Sequence, residues 1–239
     1  MFSMRPQQIE ELCLFAFIAD KQARSDLVSK YIVNENDYTS NFTGALRRII
    51  NSNSVTGLTA SSHLISRKEE RQFGCDAVIL ISANGYFKST LFECKWPRFS
   101  IDKYPWDYEQ TCIGLSHFSD QLVRQMSYAP VSAIFEMFFC EFQFNFQPPF
   151  MKPEVSSCVW HDDAVQFDLS RNKPFSVWSQ SELIFLLEKN SIQVDQVLRE
   201  VCNCNRGKAI TYSGDISAFI QEFSQVASVL HISALSQNA

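Results

Sequence analysis

The sequence lacks several features that would assign it to a specialised class of protein. It has no run of the about 18–20 apolar residues needed to cross a membrane. Its net charge of −5 argues against a protein held on nucleic acid mainly by bulk positive charge. Glycine is scarce, at 7 of 239 residues, which excludes a collagenous chain. The eight cysteines lack the spacing of a disulfide framework, so we expect free thiols in a reducing, cytoplasmic compartment without a membrane partner.

Apolar and aromatic residues are plentiful, and their spacing predicts most of the secondary structure. The chain is 46% hydrophobic and contains 21 Phe, enough for one large aromatic core. Apolar residues at helical spacing predict helices over residues 6–31, 34–50, 113–128, 181–189, 194–202 and 215–230. Residues 131–147 predict one long strand or two, because Phe142, Phe144 and Phe146 alternate with polar residues. We expect a loop over 51–62, a short strand over 63–66, and short strands and loops over 150–178.

One segment, GCDAVILISANGYFKSTLFECKW at 74–96, combines a hairpin signal with charged ends. Asn84-Gly85 joins two apolar runs, and this dipeptide favours a two-residue turn because both of its residues tolerate positive φ. If these two residues form the turn, Ala83 faces Tyr86 and Asp76 faces Glu93 at the other end. The side chains of Asp76, Glu93 and Lys95 would then share one face of the sheet.

Two carboxylates held side by side next to a core repel each other, so this arrangement needs a physical reason. A divalent cation between them would supply it, and oxygen ligands suit Mg²⁺ or Mn²⁺. The ammonium of Lys95 would then lie beside the metal, where it could assist an attacking water or stabilise negative charge. The alternative is an ordinary ion pair between Lys95 and Glu93 or Asp76 at a sheet edge, which contributes little.

Asp76 followed by Glu93-Cys94-Lys95 resembles the motif of the PD-(D/E)XK nuclease superfamily, whose members have a restriction-endonuclease-like fold. The Gly74-Cys75-Asp76 segment has the G-x-D form of the first half of that motif. The resemblance covers residues 30–147. It implies an α/β core with a mixed central β-sheet flanked by helices, which we assign to residues 1–178. Residues 179–239 would then be a helical C-terminal extension packed on the core.

Two further segments resemble this superfamily in the same order. Many members contribute an acid from the helix before the sheet, which would be Glu35 here, with Asp37 as the alternative. Many also carry a glutamine on the following helix, which would be Gln121, with Gln125 one turn later. Without the resemblance, Glu35 and Asp37 are ordinary first-turn acids favoured by the helix dipole, and Gln121 is a solvated helix residue.

The resemblance implies a metal-dependent nuclease that hydrolyses phosphodiester bonds, with DNA preferred over RNA. Asp76, Glu93 and Glu35 would bind Mg²⁺ or Mn²⁺, Lys95 would assist the water, and Gln121 would support the geometry. Expected settings include phage defence, restriction and mobile-element processing. The C-terminal helices would serve a homodimer or a partner protein. The alternative function is a non-catalytic module of the same fold that binds protein or nucleic acid.

His161, Asp162 and Asp163 follow one another in the sequence, which argues against a shared metal ligand set. Three consecutive side chains on a regular element do not point to one centre. We therefore interpret WHDD, at residues 160–163, as a polar turn. His117, one turn before Gln121, has no motif of its own and is left without a role. Cys94, between Glu93 and Lys95, should point to the opposite face and pack in the core.

Overall fold

A mixed β-sheet with helices on both faces forms the centre of the molecule, so the α/β class predicted from the sequence is confirmed. The computed structural model describes residues 1–64, 74–101, 105–111, 114–211 and 228–235. None of the helices in these ranges has the length and apolar character that crossing a membrane requires.

The elements follow one another along the chain as six α-helices and nine strands within the described ranges. The helices are α1 (Pro6–Val28), α2 (Glu35–Asn53), α3 (His117–Gln125), α4 (His161–Ser170), α5 (Gln180–Asn190) and α6 (Val194–Cys202). The strands are β1 (Leu58–Leu64), β2 (Ala77–Ala83), β3 (Tyr86–Lys95), β4 (Glu109–Gln110), β5 (Leu115–Ser116), β6 (Ala133–Phe138), β7 (Ser157–Trp160), β8 (Ile210–Thr211) and β9 (Ser228–Ala234).

The main sheet has the strand order β1-β9-β2-β3-β6-β7, with β8 paired to β3. The β2–β3 hairpin is antiparallel, and each of its strands has a parallel neighbour on the other side, β9 beside β2 and β6 beside β3. Both hairpin strands are therefore central in the sheet. Because β2 and β3 have neighbours on both sides and helices on both faces, nearly all of their residues are buried.

The C-terminal part of the chain corrects the predicted domain organisation. Residues 179–239 were expected to form a helical extension, and α5 and α6 do lie there. However, β9 enters the sheet between β1 and β2, where Val229, Leu230 and Ile232 are fully buried. The helix predicted over 215–230 is therefore wrong at 228–230, and its remaining residues, except 215–227 which lie outside the described ranges, provide no helix. A short apolar run fits a buried strand as well as a helix.

Each face of the sheet packs against its own set of helices. On one face, α1, α2 and α6 cover a large apolar cluster in which Phe92 stacks on Phe135 at 5.3 Å between ring centroids. Phe42 of α2 meets Phe92 edge-on at 5.8 Å. On the other face, α3, α4 and α5 pack on β6 and β7 around Phe118 and Phe138. Cys94 is fully buried in the first cluster, as its predicted orientation requires.

Several helices follow the sequence prediction closely. The helices predicted over 6–31, 34–50, 181–189 and 194–202 correspond to α1, α2, α5 and α6. Asn34 caps α2, since its side-chain oxygen accepts a hydrogen bond of 2.8 Å from the N–H of Asp37. The helix predicted over 113–128 is shorter than expected, because α3 begins only after the Ser116 cap.

Three stretches differ from the sequence prediction. The loop expected over 51–62 is wrong, because α2 continues to Asn53 and β1 begins at Leu58. The strand expected to continue to residue 147 ends at Phe138, and Glu141 instead accepts hydrogen bonds from Trp96 and Ser100. The segment 150–178 contains α4, and the WHDD stretch is the start of that helix rather than a turn. Asp162 and Asp163 lie in its first turn, where the helix dipole favours acids.

Candidate active site

The predicted hairpin brings the charged ends of residues 74–96 to one end of the sheet. The register is the one expected for an Asn84-Gly85 turn, from Ala83↔Tyr86 to Ala77↔Phe92. Asn84 and Gly85 have φ angles of 51° and 75°, so both adopt the positive φ that this turn requires. The last residues of β3 therefore lie beside the first residues of β2.

Asp76 stands just outside the regular ladder, so the expected cross-strand pair with Glu93 is not part of it. Its N–H donates to the carbonyl of Phe92 at 2.9 Å, and its Oδ2 accepts from the N–H of Cys94 at 2.8 Å. The carboxylate thus bonds to the backbone of the neighbouring strand between Glu93 and Lys95. Burial, followed by repulsion from Glu93, raises the pKa of Asp76 well above its ordinary value.

A close approach of the backbone to α3 positions this segment. Gly74 has a φ of 67°, and a Cβ at this position would lie 2.9 Å from the carbonyl oxygen of Gln121. The side-chain amide of Gln125 donates to the carbonyl of Gly74. Only glycine combines this backbone conformation with so close a contact, which explains the glycine two residues before Asp76.

Glu93 and Lys95 form a buried ion pair on the side of the sheet that α3 covers. Lys95 Nζ lies 2.8 Å from Glu93 Oε1, and both residues are almost fully buried. The amide nitrogen of Gln121 donates to the same oxygen, so the predicted glutamine reaches the site. Burial disfavours the charge of Lys95, but Glu93, Glu35 and Asp76 outweigh it and raise the pKa of Lys95 above its ordinary value.

Glu35 completes the group from the opposite side. It is the first residue of α2, and its Oε1 accepts a hydrogen bond of 2.7 Å from the N–H of Trp96, the residue after Lys95. Asp37 does not join the group, because its Oδ2 accepts from Asn34 and Val33 at the start of the helix. Of the two acids considered in the sequence, the structure brings Glu35 to the site.

The donor set suits a hard divalent cation, but the side chains as placed do not already form a ligand cage. Glu35, Asp76 and Glu93 each have one oxygen bonded to the protein, and no described residue donates to the second oxygen. Within the described ranges, no three His, Cys, Asp or Glu side chains converge closely enough to hold a metal ion. The ammonium of Lys95 supplies the positive charge among them. Three ionised carboxylates and one ammonium leave two negative charges, which favours a divalent cation.

Glu136 is a buried carboxyl group that our reading of the sequence overlooked. It lies on β6 in register with Glu93, is fully buried, and receives no hydrogen bond on either oxygen within the described ranges. Burial, and then repulsion from Glu93, raises the pKa of Glu136 to about 8. A signal was present, because this glutamate interrupts the apolar run AIFEMFFC at 133–140. The same reasoning had been applied to Asp76.

His161 lies beside Glu136 and was also missed as a site residue. Its Nδ1 is 3.9 Å from Glu136 Oε1, too far for a hydrogen bond, and Nδ1 has no partner among the described residues. Burial lowers the pKa of His161 to about 4, so the ring is neutral at physiological pH. The site therefore extends from β3 across β6 to the first residue of α4.

The raised pKa of Glu136 predicts a pH-dependent stability of the metal-free protein. Between its unfolded pKa of about 4.3 and its folded pKa of about 8, the folded chain holds a proton that the unfolded chain has lost. The free energy of unfolding should therefore fall by a few kcal/mol as the pH rises from about 5 to about 8. Urea denaturation of chelator-treated protein measures this, and Glu136→Gln should flatten the slope. Equal slopes in the two proteins would contradict the assignment.

Comparisons with protein-family models, with curated protein sequences and with solved structures find no match to this chain. The likeness to a nuclease superfamily therefore depends on the motif residues and on the geometry described above.

Proposed function

We propose that this chain is a Mg²⁺-dependent nuclease of the PD-(D/E)XK type that hydrolyses phosphodiester bonds in nucleic acid, with DNA as the preferred substrate. The observation that carries the proposal is the meeting of Glu35, Asp76, Glu93 and Lys95 at one end of the sheet. The order of α2, the β2–β3 hairpin and α3 also supports a restriction-endonuclease-like core. Phage defence, restriction and mobile-element processing in the cytoplasm remain the settings that we favour.

Each residue of the site has a role in this proposal. The carboxylates of Asp76, Glu93 and Glu35 would hold Mg²⁺, which when bound polarises the phosphate and acidifies a water molecule. Gln121 orients Glu93 through its hydrogen bond. The ammonium of Lys95 stabilises the negative charge that develops on the phosphate oxygens, and its raised pKa keeps it charged.

Aromatic side chains near the site support a nucleic-acid substrate. Arg98 lies over the ring of Trp96 at 4.2 Å, and Tyr108 stacks on His117 at 4.6 Å between ring centroids. The site lies close to His117, because after burial the charge of Lys95 is the next cause that lowers the pKa of His117. Tyr108 is half exposed, so it offers a ring on which a base can stack.

Cleavage assays with labelled nucleic acids test the proposal. Single- and double-stranded DNA and RNA would be incubated with the full chain in Mg²⁺, in Mn²⁺ and in excess chelator. We expect cleavage of DNA that requires the metal and is lost in Asp76→Asn. The isosteric change keeps an oxygen that can accept from Cys94, so circular dichroism should show a folded variant. Absence of cleavage across the panel would overturn the nuclease proposal.

Mg²⁺ binding provides a separate prediction for the same site. Isothermal titration calorimetry should detect Mg²⁺ binding to the wild-type chain and at least about tenfold weaker binding to Asp76→Asn, because one anionic ligand is lost. Asp37→Asn is the matched control, since Asp37 is occupied at the helix start. Equal affinities for wild type and Asp76→Asn would show that Asp76 is not a ligand.

The second candidate function is a non-catalytic module of the same fold. The buried ion pair between Lys95 and Glu93 favours it, because an ammonium already compensates the carboxylates without a metal. This candidate predicts binding of nucleic acid or protein without cleavage and without Mg²⁺ binding, so the two experiments above separate the two functions.

A further inference from the structure

A cluster of hydrogen-bond acceptors without donors lies next to the proposed Mg²⁺ site. Its members are Oε1 and Oε2 of Glu136, Nδ1 of His161, and Oε1 of Gln121 and of Gln125, and none of these atoms has a partner within the described ranges. All four side chains are more than nine-tenths buried. Buried polar atoms are nearly always paired, and leaving one unpaired costs about 1–3 kcal/mol. Five such atoms together indicate a missing positive or donating group.

The two amides are held in place by their nitrogens, so their oxygens cannot turn away to find partners. Gln121 donates to Glu93 and Gln125 donates to the carbonyl of Gly74. The two residues are one turn apart on α3, so their side chains lie on the same face of that helix. The group that fills the cluster must therefore serve acceptors on α3, β6 and α4.

The separation of His161 and Glu136 fits one metal ion between them. Their Nδ1 and Oε1 atoms are 3.9 Å apart, beyond hydrogen-bond distance. A Zn²⁺ ion binds imidazole nitrogen and carboxylate oxygen at about 2.0–2.2 Å each, so two ligands of one ion lie within about 4.3 Å of each other. An ion therefore fits here with little movement of either side chain.

We infer that Glu136, His161 and the amide oxygen of Gln125 form a second cation site, which takes Zn²⁺ in preference to Mg²⁺. Imidazole nitrogen suits Zn²⁺, whereas Mg²⁺ takes oxygen ligands and keeps several waters, for which this buried position lacks room. The neutral state of His161 leaves a ring nitrogen available for a metal. The amide of Gln125 lies close enough to influence the pKa of Glu136. The site does not use Asp76 or Glu35, so it stands independently of the proposed nuclease function.

Metal retention in the presence of competing Mg²⁺ tests this inference. The full chain would be stripped with a chelator, loaded with Zn²⁺, and dialysed against excess Mg²⁺ before bound zinc is measured by mass spectrometry. We expect one Zn²⁺ per chain in the wild type and in Asp76→Asn. Changes that only reorient a ligand weaken metal binding about 10–100-fold. Loss of a ligand in Glu136→Gln or His161→Phe should therefore weaken it at least about 100-fold.

The thiols need their own control, because Zn²⁺ also binds cysteine. Cys204 is the exposed cysteine among those described, and Cys204→Ser should retain the ion if the inference is correct. Co²⁺ in place of Zn²⁺ should show no thiolate charge-transfer band in the near ultraviolet. Loss of the ion in Cys204→Ser, retention in Glu136→Gln, or no retained ion in the wild type would each overturn the proposal. In those cases, protonated Glu136 and internal water satisfy the cluster.

Discussion

Lys95→Met should lower the rate of metal-dependent DNA cleavage by about 10²–10³-fold, the usual cost of removing one donor that stabilises transition-state charge. Methionine keeps most of the apolar stem and removes only the ammonium. In the structure this ammonium lies 2.8 Å from Glu93 Oε1, and the surrounding carboxylates raise its pKa. It is therefore charged throughout the physiological pH range and needs no proton exchange before it acts.

The same variant should behave differently in Mg²⁺ binding, which separates catalysis from metal loss. Removing the ammonium leaves Glu35, Asp76 and Glu93 without their compensating charge, so Mg²⁺ affinity should stay the same or rise. Lys189→Met is the matched control, because Lys189 lies at the surface over the ring of Phe185 on α5. Cleavage by Lys95→Met at the wild-type rate would exclude the role assigned to Lys95.

Phe92→Ala should lower the free energy of unfolding by about 3–5 kcal/mol, the usual cost of truncating a fully buried phenylalanine. Phe92 has no exposed surface, and it contacts Phe135 and Phe42, which come from a neighbouring strand and from α2. Its removal leaves a cavity at the contact between the sheet and the helix that carries Glu35. Urea denaturation monitored by fluorescence or circular dichroism measures the change.

Phe146→Ala is the matched control for this truncation. Phe146 is 73% exposed in a short 3₁₀ turn, so its loss should change stability by no more than about 0.5 kcal/mol. If Phe92→Ala cost less than about 1 kcal/mol, the packing of α2 on β3 described here would be wrong. The comparison of the two variants therefore tests the tertiary arrangement without any assumption about function.

Predictions that depended on local chemistry were the most successful. Asn84-Gly85 requires positive φ, and this requirement alone determines the turn and the register of the whole hairpin. Asn34 has the side chain that a helix start needs, so α2 begins where the sequence indicates. Glu35, Glu93, Lys95 and Gln121 do contact one another or the same short segment. Their chemical roles stay predictions until the assays above are done.

Predictions that depended on distant contacts failed. The alternation of Phe142, Phe144 and Phe146 fits a strand, but the chain leaves the sheet after Phe138 and no ladder forms there. Val229 and Leu230 fit a helix, yet they lie in a central strand because the sheet has a place between β1 and β2. Periodicity describes which residues are apolar and does not determine which partner will cover them.

The sequence by itself determined the hairpin, its register, most of the helices and the pair of charged ends, because each depends on backbone preferences within a few residues. Only the tertiary structure decided that Glu136 lies beside Glu93 and that His161 faces it, since strand order and helix packing bring together residues that are distant in the chain. It also decided that Asp76 bonds to the backbone of β3 rather than pairing with Glu93 in the ladder. Long-range burial, which no local pattern encodes, is the physical reason for each of these differences.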